Sequence, residues 1–495
     1  MDRRSFLAQA GVAALALSAP PVAARIRRGG DARLQQLANA MHGPVLTRGA
    51  SGYNAARLVY NERYDGLRPL AVARAANVAD VRAAVRWSAS TGVPLAARSG
   101  GHSYAGYSTT GSGVQLDLRG IRSVTLRRAS GTVVIGAGAQ LVDVYSKLAA
   151  AGCTIPAGSC PNVGIGGLAQ GGGHGLASRQ LGLTCDNVVA LTVVTADGRL
   201  RTVDANHDPD LFWALRGGGG GQFGIVTSLT LRVTPVRSAA YFFASWPFSQ
   251  AATAIDAWQD FAPDAPNALM SILTLATGGS QPTVRALGQY MGPESALTRV
   301  LAPLRASGAT ITTGTSPYGQ LVLRWAGCLD IGVQRCHITP AGSLQRARFA
   351  AKSQYVARNL SAAGIRALIS SIQRRQATMG DGSGALLLDA YGGALNRPAA
   401  DATAFVHRDM LFSLQYLAYF NGAAAGRASR RWAGGVWHAL RPNVSGEAYQ
   451  NYIDPDLVPW QRAYYGSNLA RLRAIKKQVD PDFRFRFPQA IPPAR

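Results

Sequence analysis

The chain is 495 residues long and 47% apolar, enough for two packed cores or for one domain split by an insertion, and no repeat or low-complexity run argues for disorder inside it. Its formal charge of +25 invites a nucleic-acid reading, but the basic residues are nearly all Arg scattered through Ala- and Gly-rich sequence, with no nucleic-acid-binding signature, so nucleic acid is excluded as a partner. Attraction to an acidic envelope surface or an anionic substrate stays open.

In chain order, the first feature is Asp2-Arg3-Arg4-Ser5-Phe6-Leu7, followed by an uncharged run from Ala8 to Ala24 that ends in Val22-Ala23-Ala24. A basic start, a short apolar stretch and small residues near a cleavage point read as a signal peptide over residues 1–24. The paired arginines before Ser-Phe-Leu resemble the twin-arginine export signal, which carries proteins already folded. Export to a bacterial periplasm or beyond is therefore expected, and an ordinary secretory signal is the alternative. No other stretch is apolar and long enough to span a bilayer, so stable membrane insertion is not expected.

Residues 77–88 read as a helix with Asn77 as cap, Val78, Val81 and Val85 on one face and Gly92 just past the end. Val93–Ala97 reads as a short buried strand running into the glycine loop RSGGHSYAGYS. Strands are predicted over 114–118 and 132–135, and a helix over 141–151. DNVVALTVVTADGRLRTV, starting at Asp186, reads as a hairpin whose Gly198 supplies the positive φ of the turn. After Pro235, strands are predicted over 241–246, 386–391 and 411–419, and helices over 251–261 and 365–374. The chain thus reads as α+β, with a first domain over 60–235 and a second over 236–441, an antiparallel sheet backed by helices. An aromatic-rich segment over 442–495 follows.

Five cysteines (Cys153, Cys160, Cys185, Cys328, Cys336) show no zinc-site spacing, and no metal is expected. An odd count in an exported protein leaves at least one free thiol. Cys328 and Cys336 are able to pair.

Three glycine-rich loops stand out, Arg98–Gly106, Gly158–Gly175 and Arg216–Gly224. Together they predict an extended phosphate-bearing ligand lying across one domain. Gly164-Ile165-Gly166-Gly167-Leu168-Ala169 fits the dinucleotide pattern G-x-G-x-x-A, but the next unit looks like a hairpin and Asp186 precedes its strand, which argues against that fold. Two nucleophiles lie in these loops, His102 and Cys160. Each is flanked by residues small enough to admit a planar ring.

The stretches RSGGHSYAGYS, AGSCPNVGIGGLAQGGGHGLASRQLGLTCDNVVALTVVTADGRL, DLFWALRGGGGGQFGIVT, NYIDPDL and YYGSNLARLRAIKKQVDP closely resemble the berberine bridge enzyme-like FAD-linked oxidases, of the vanillyl-alcohol oxidase fold. The resemblance runs from about residue 63 to residue 493. It implies an FAD-binding domain of the p-cresol methylhydroxylase (PCMH) type joined to a substrate domain, with the last segment returning to the FAD domain. It further implies bicovalent FAD, with His102 bonded to the flavin 8α-methyl group and Cys160 to flavin C6. By the same resemblance Arg98, Ser99, Gly100, Gly101 and Ser103 serve the pyrophosphate, and Gly164, Gly166 and Gly167 pass close to the cofactor. Ile225 and Val226 match the adenine end, and Asn468 is a further cofactor contact. Val163, three residues after the cysteine, matches a position where valine admits molecular oxygen, which implies an oxidase that releases hydrogen peroxide.

Tyr452 in NYIDPDL falls at the family's catalytic tyrosine. A phenol titrates near ~10, so useful base strength needs a positive neighbour or a donor to stabilise the phenolate, or an Asp that shares its proton. Asp454 is near in sequence, and Asp389 in LLLDAYGGAL is a candidate to reach the pocket. His174 stands where some relatives carry a second tyrosine, and it is a candidate base or orienting group. Gln415 and Tyr391 are candidates to line the substrate side. The expected reaction is oxidation of an alcohol carbon on a small molecule, a carbohydrate or glycosylated metabolite. The alternative is a flavin-dependent cyclising or amine-oxidising enzyme.

Overall fold

The computed structural model describes residues 31–495 apart from positions 379 and 381. The predicted signal peptide therefore lies outside the described residues. Three sheets of four or more strands organise the described residues, beside a two-stranded pairing of Cys153–Thr154 with Thr234–Pro235. The first has four strands in the order Val45–Thr47, Ala71–Arg74, Val114–Asp117, Leu95–Arg98. The second has five, in the order Val124–Arg127, Thr132–Gly136, Ile225–Arg232, Val188–Val194, Leu200–Asp204.

Local signals fixed several elements. The helix Val78–Thr91 starts where the Asn77 side chain accepts the Asp80 amide at 3.1 Å, and it stops at Gly92, φ +71°. The hairpin forms as read, with Ala190 opposite Asp204 and Gly198 at φ +71°. Gly164 to Gln170 becomes a glycine-capped short helix, Ile165–Gln170, and no parallel crossover follows it, because Ile225–Arg232 pairs antiparallel with Val188–Val194. In the first sheet Val45–Thr47 pairs antiparallel with Ala71–Arg74, whereas Val114–Asp117 pairs in parallel with both neighbours, at Ala71↔Val114 and Leu95↔Val114. Short strands with no turn between them leave the pairing direction to tertiary contacts.

The third sheet is antiparallel, with seven strands in the order Thr310–Pro317, Ser238–Trp246, Thr283–Tyr290, Leu269–Ala276, Gly384–Ala390, Phe412–Tyr419, Phe349–Val356. Four of these strands carried no prediction. Leu386, Leu388, Leu414, Tyr416 and Val356 point to one face and share a core with Trp258, Leu368, Ile372 and Val436 of the backing helices. By the two-residue period of a strand, Ser353, Tyr355, Asp389, Ser413 and Gln415 point to the other face. That face is turned toward the glycine loops. The C-terminal segment packs on the second sheet, where Tyr464, Tyr465, Leu472, Ile475 and Ile491 join the core of Ile135, Leu191 and Leu229.

Candidate active site

The strand Leu95–Arg98 delivers the first glycine loop, and the helix Leu141–Ala150 anchors the second. Leu141 and Val142, at the start of that helix, donate their amides to the Val163 and Pro161 carbonyls at 3.0 Å each. The two loops meet backbone to backbone. A Cβ on Gly164 would lie 1.9 Å from Ser99 Oγ and 2.1 Å from the Gly100 amide, and one on Gly100 would lie 2.3 Å from the Gly164 amide. Only glycine permits that approach. It brings the loop of His102 and the loop of Cys160 to one place. The amides of Ser99, Gly100, Gly101, His102 and Ser103 donate to no acceptor among the described residues, leaving a row of donors that suits phosphate oxygens. A Cβ on Gly167 would enter open space.

His102 stacks on Tyr60, ring centroids 4.1 Å apart. Its Nε2 is buried with no partner among the described residues. Burial, with the Arg98 cation next, lowers its pKa to about 3 and keeps the imidazole neutral and nucleophilic. The Arg98 guanidinium is buried beneath the loop, donating to the Ala56 carbonyl at 2.6 Å, and burial lowers its own pKa to about 9. Cys160 is the exposed one of three free thiols, although the protein mass around its recess raises its pKa.

Opposite the loops, the polar face of the third sheet closes the cleft. Gln415 Nε2 donates to Tyr104 Oη at 2.7 Å, across 311 positions of sequence. Tyr104 lies parallel to Tyr452, centroids 5.3 Å apart, and Tyr449 meets Tyr452 edge-on at 4.8 Å. The Tyr452 hydroxyl has no partner among the described residues and is not sealed from solvent. Burial, and then the charge of Asp389, pushes its pKa well above the usual phenol value. The buried Asp389 carboxylate accepts from Ser413 Oγ at 3.3 Å, and burial raises its pKa to about 7. His174 stacks on Tyr391 at 5.1 Å, its Nε2 buried without a partner, and burial lowers its pKa to about 4. Tyr391, just past its strand, shares a hydroxyl hydrogen bond of 3.0 Å with Tyr355.

Four candidate residues take other roles. Asp454 turns from Tyr452 and pairs with Lys352 Nζ at 2.6 Å. Asn468 Nδ2 is spent on the Ala400 and Thr403 carbonyls, at 2.7 and 3.3 Å, so it braces that loop and offers the cleft no amide donor. Ile225 and Val226 bury their side chains in two separate cores, which leaves only backbone for a cofactor. Val163 is partly buried against the core of the second sheet. Reasoning from sequence missed Tyr60, Tyr104, Ser413 and Tyr449. Tyr104 was the most accessible of these, two residues after His102 in the same motif.

A family model described as "FAD binding domain" matches residues 69–204, and one described as "Berberine and berberine like" matches residues 448–492. The FAD-linked oxidoreductase YgaK of Bacillus subtilis is 34% identical over 463 residues, covering 92% of this chain and 97% of that protein. The chain belongs to the berberine bridge enzyme-like family of FAD-linked oxidoreductases. The chitooligosaccharide oxidase of Gibberella zeae is 31% identical over 474 residues, covering 91% of this chain and 92% of that one. Among solved structures, the xylooligosaccharide oxidase of Myceliophthora thermophila C1, in complex with xylobiose, superposes with a TM-score of 0.84 at 28% identity. That match covers 94% of this chain and 100% of the other. The protein is an FAD-dependent oxidoreductase with oxidases among its relatives, and the unpaired loop amides, the open face at Gly167 and the orphaned His102 fit that cofactor.

Proposed function

We propose that this berberine bridge enzyme-like protein is an exported oxidase carrying FAD bonded at both His102 and Cys160. It oxidises an alcohol carbon of a carbohydrate or glycosylated metabolite and passes the electrons to molecular oxygen, giving hydrogen peroxide. The observation that carries the reading is the contact of Gly100 with Gly164, which sets a neutral imidazole and an exposed thiol at the edge of one cleft. The twin-arginine segment supports export, and a Cys328–Cys336 disulfide suits an oxidising compartment. The named oligosaccharide oxidases support the substrate class. So does the cleft lining, where Tyr104 and Tyr452 offer ring faces to sugar C–H groups and Gln415 and Asp389 offer polar atoms to hydroxyls. The small Val163 beside the tether supports oxygen as the acceptor.

When bound, FAD supplies a hydride acceptor whose two electrons go on to oxygen. The chain's own residues manage the proton. A resting tyrosinate at Tyr452 is disfavoured, because burial and the Asp389 charge both hold its proton on. Asp389, titrating at about 7, matches the pH at which a general base works best. Tyr452 therefore receives the substrate hydroxyl and passes a proton toward Asp389, whose carboxylate Ser413 holds in place. His174 is already neutral at working pH and braces Tyr391 by stacking on it.

The test is acid precipitation of wild type, His102→Ala, Cys160→Ala and the double variant, followed by peroxide release across sugars, glycosides and aromatic alcohols. Flavin should stay with the protein in each single variant and leave only the double. Covalent flavin surviving in the double variant would refute the attachment sites. Peroxide from no sugar or glycoside would refute the substrate class.

A further inference from the structure

The Cys160 loop touches a part of the chain that the reaction does not use. Cys328 and Cys336 form a disulfide, both sulfurs fully buried with Val142, the second residue of the helix Leu141–Ala150. The two residues after Cys336 then reach the FAD side. His337 Nε2 lies 3.2 Å from Asp143 Oδ1 on that helix, and the Ile338 amide donates to Asn162 Oδ1 at 3.0 Å. Asn162 is buried and stands two residues after Cys160. Helix and disulfide loop thus grip the Cys160 loop from two sides, through the carbonyls of Pro161 and Val163 and through the Asn162 side chain.

The same segment runs on to the other nucleophile. Arg346 Nε donates to the Val59 carbonyl at 2.7 Å, Ala347 donates its amide to the Tyr60 carbonyl at 3.3 Å, and Tyr60 stacks on His102. His102 also has a support that does not depend on the disulfide, since Tyr60 donates its amide to the Gly101 carbonyl at 3.0 Å. Cys160 is exposed and its loop is short, so it depends more on the clamp.

We propose that Asn162 and the loop closed by Cys328–Cys336 are positioning elements for Cys160, setting its thiol for attachment to the cofactor. This rests on the reading of Cys160 as the second tether. In net terms the thiol and the ring carbon each give up a hydrogen as the sulfur–carbon bond forms. The two electrons and two protons leave with dioxygen as hydrogen peroxide. The clamp supplies no electrons. It narrows the positions that the sulfur samples.

The experiment follows attachment by peptide mass spectrometry, in the holoenzyme and during reconstitution of apoprotein with FAD under air. It compares wild type with Asn162→Ala, Asn162→Asp and Cys328→Ser/Cys336→Ser. Loss of one neutral hydrogen bond should slow Cys160 attachment about fivefold in Asn162→Ala. His102 attachment should be unchanged, and the Cys pair variant should behave alike. Asn162→Asp keeps an acceptor for the Ile338 amide and should recover near wild-type attachment. Three outcomes overturn the proposal: wild-type rates at Cys160 in both Asn162→Ala and the Cys pair variant, equal loss at both nucleophiles, or no rescue by aspartate. A wild type with flavin on His102 alone overturns the tether reading and the proposal with it.

Discussion

Replacing Asp389 by Asn tests the proton-transfer assignment through stability as well as rate. The carboxyl is buried against the third sheet with only Ser413 donating to it, and its pKa stands at about 7 against an ordinary 3.8. A raised pKa means that the folded state holds the proton more tightly than the unfolded state. The sign follows: stability from this group is fully present below pH 4 and is lost as pH rises to 7. A difference of about three in pKa corresponds to roughly 4 kcal/mol of cost above pH 7. Asn carries no charge, so Asp389→Asn should stabilise the protein by up to about 4 kcal/mol at pH 8 and by almost nothing at pH 4. Urea unfolding at both pH values measures this. In stopped-flow flavin reduction, the wild-type rate should rise about tenfold between pH 6 and pH 8 as the carboxylate forms, and the variant should lose that limb and fall by ~10²-fold or more. Equal stability changes at the two pH values, or an unaltered pH–rate limb, would refute the reasoning.

Tyr452→Phe removes the hydroxyl that meets the substrate and keeps the stack on Tyr104. Flavin reduction should slow by ~10²- to 10⁴-fold with little change in substrate Kd, seen in single-turnover kinetics. Gly164→Ala places a methyl 1.9 Å from Ser99 Oγ and forces the two anchor loops apart. The ratio of flavin to protein absorbance should drop several-fold, with a stability loss of about 1–3 kcal/mol. Asp480→Ala strips the buried Lys476 ammonium of its carboxylate, 2.7 Å away, and leaves the Arg484 and Phe485 amides without their acceptor. Denaturant midpoints should report a loss of about 3–5 kcal/mol. A loss below ~1 kcal/mol would mean that water reaches the ammonium.

Local chemistry made much of the fold legible. Asn77 and Gly92 bound their helix because a cap needs only neighbours a few residues away. The hairpin at Gly198 followed from a backbone conformation that glycine adopts freely. The parallel pairing around Val114 and four strands of the large sheet were not legible, since short apolar runs do not say which strand they join. Among site residues, His102 and Cys160 stood out as nucleophiles in glycine loops. The backbone partners of the Asn468 amide were not legible, because a motif does not reveal which distant carbonyls its side chain meets.

By itself the sequence determined the loops and their nucleophiles. Those features depend on residue type and on spacings of two to four positions. Tertiary structure decided which carboxylate near the cleft is free of a cation. Asp454, two residues after Tyr452, is neutralised by Lys352, whereas Asp389, from a distant strand, is buried and shifted to about 7. It also decided that Gln415 holds Tyr104 and that a disulfide loop grips Asn162. Desolvation and pairing act through space, and spacing along the chain carries no record of them.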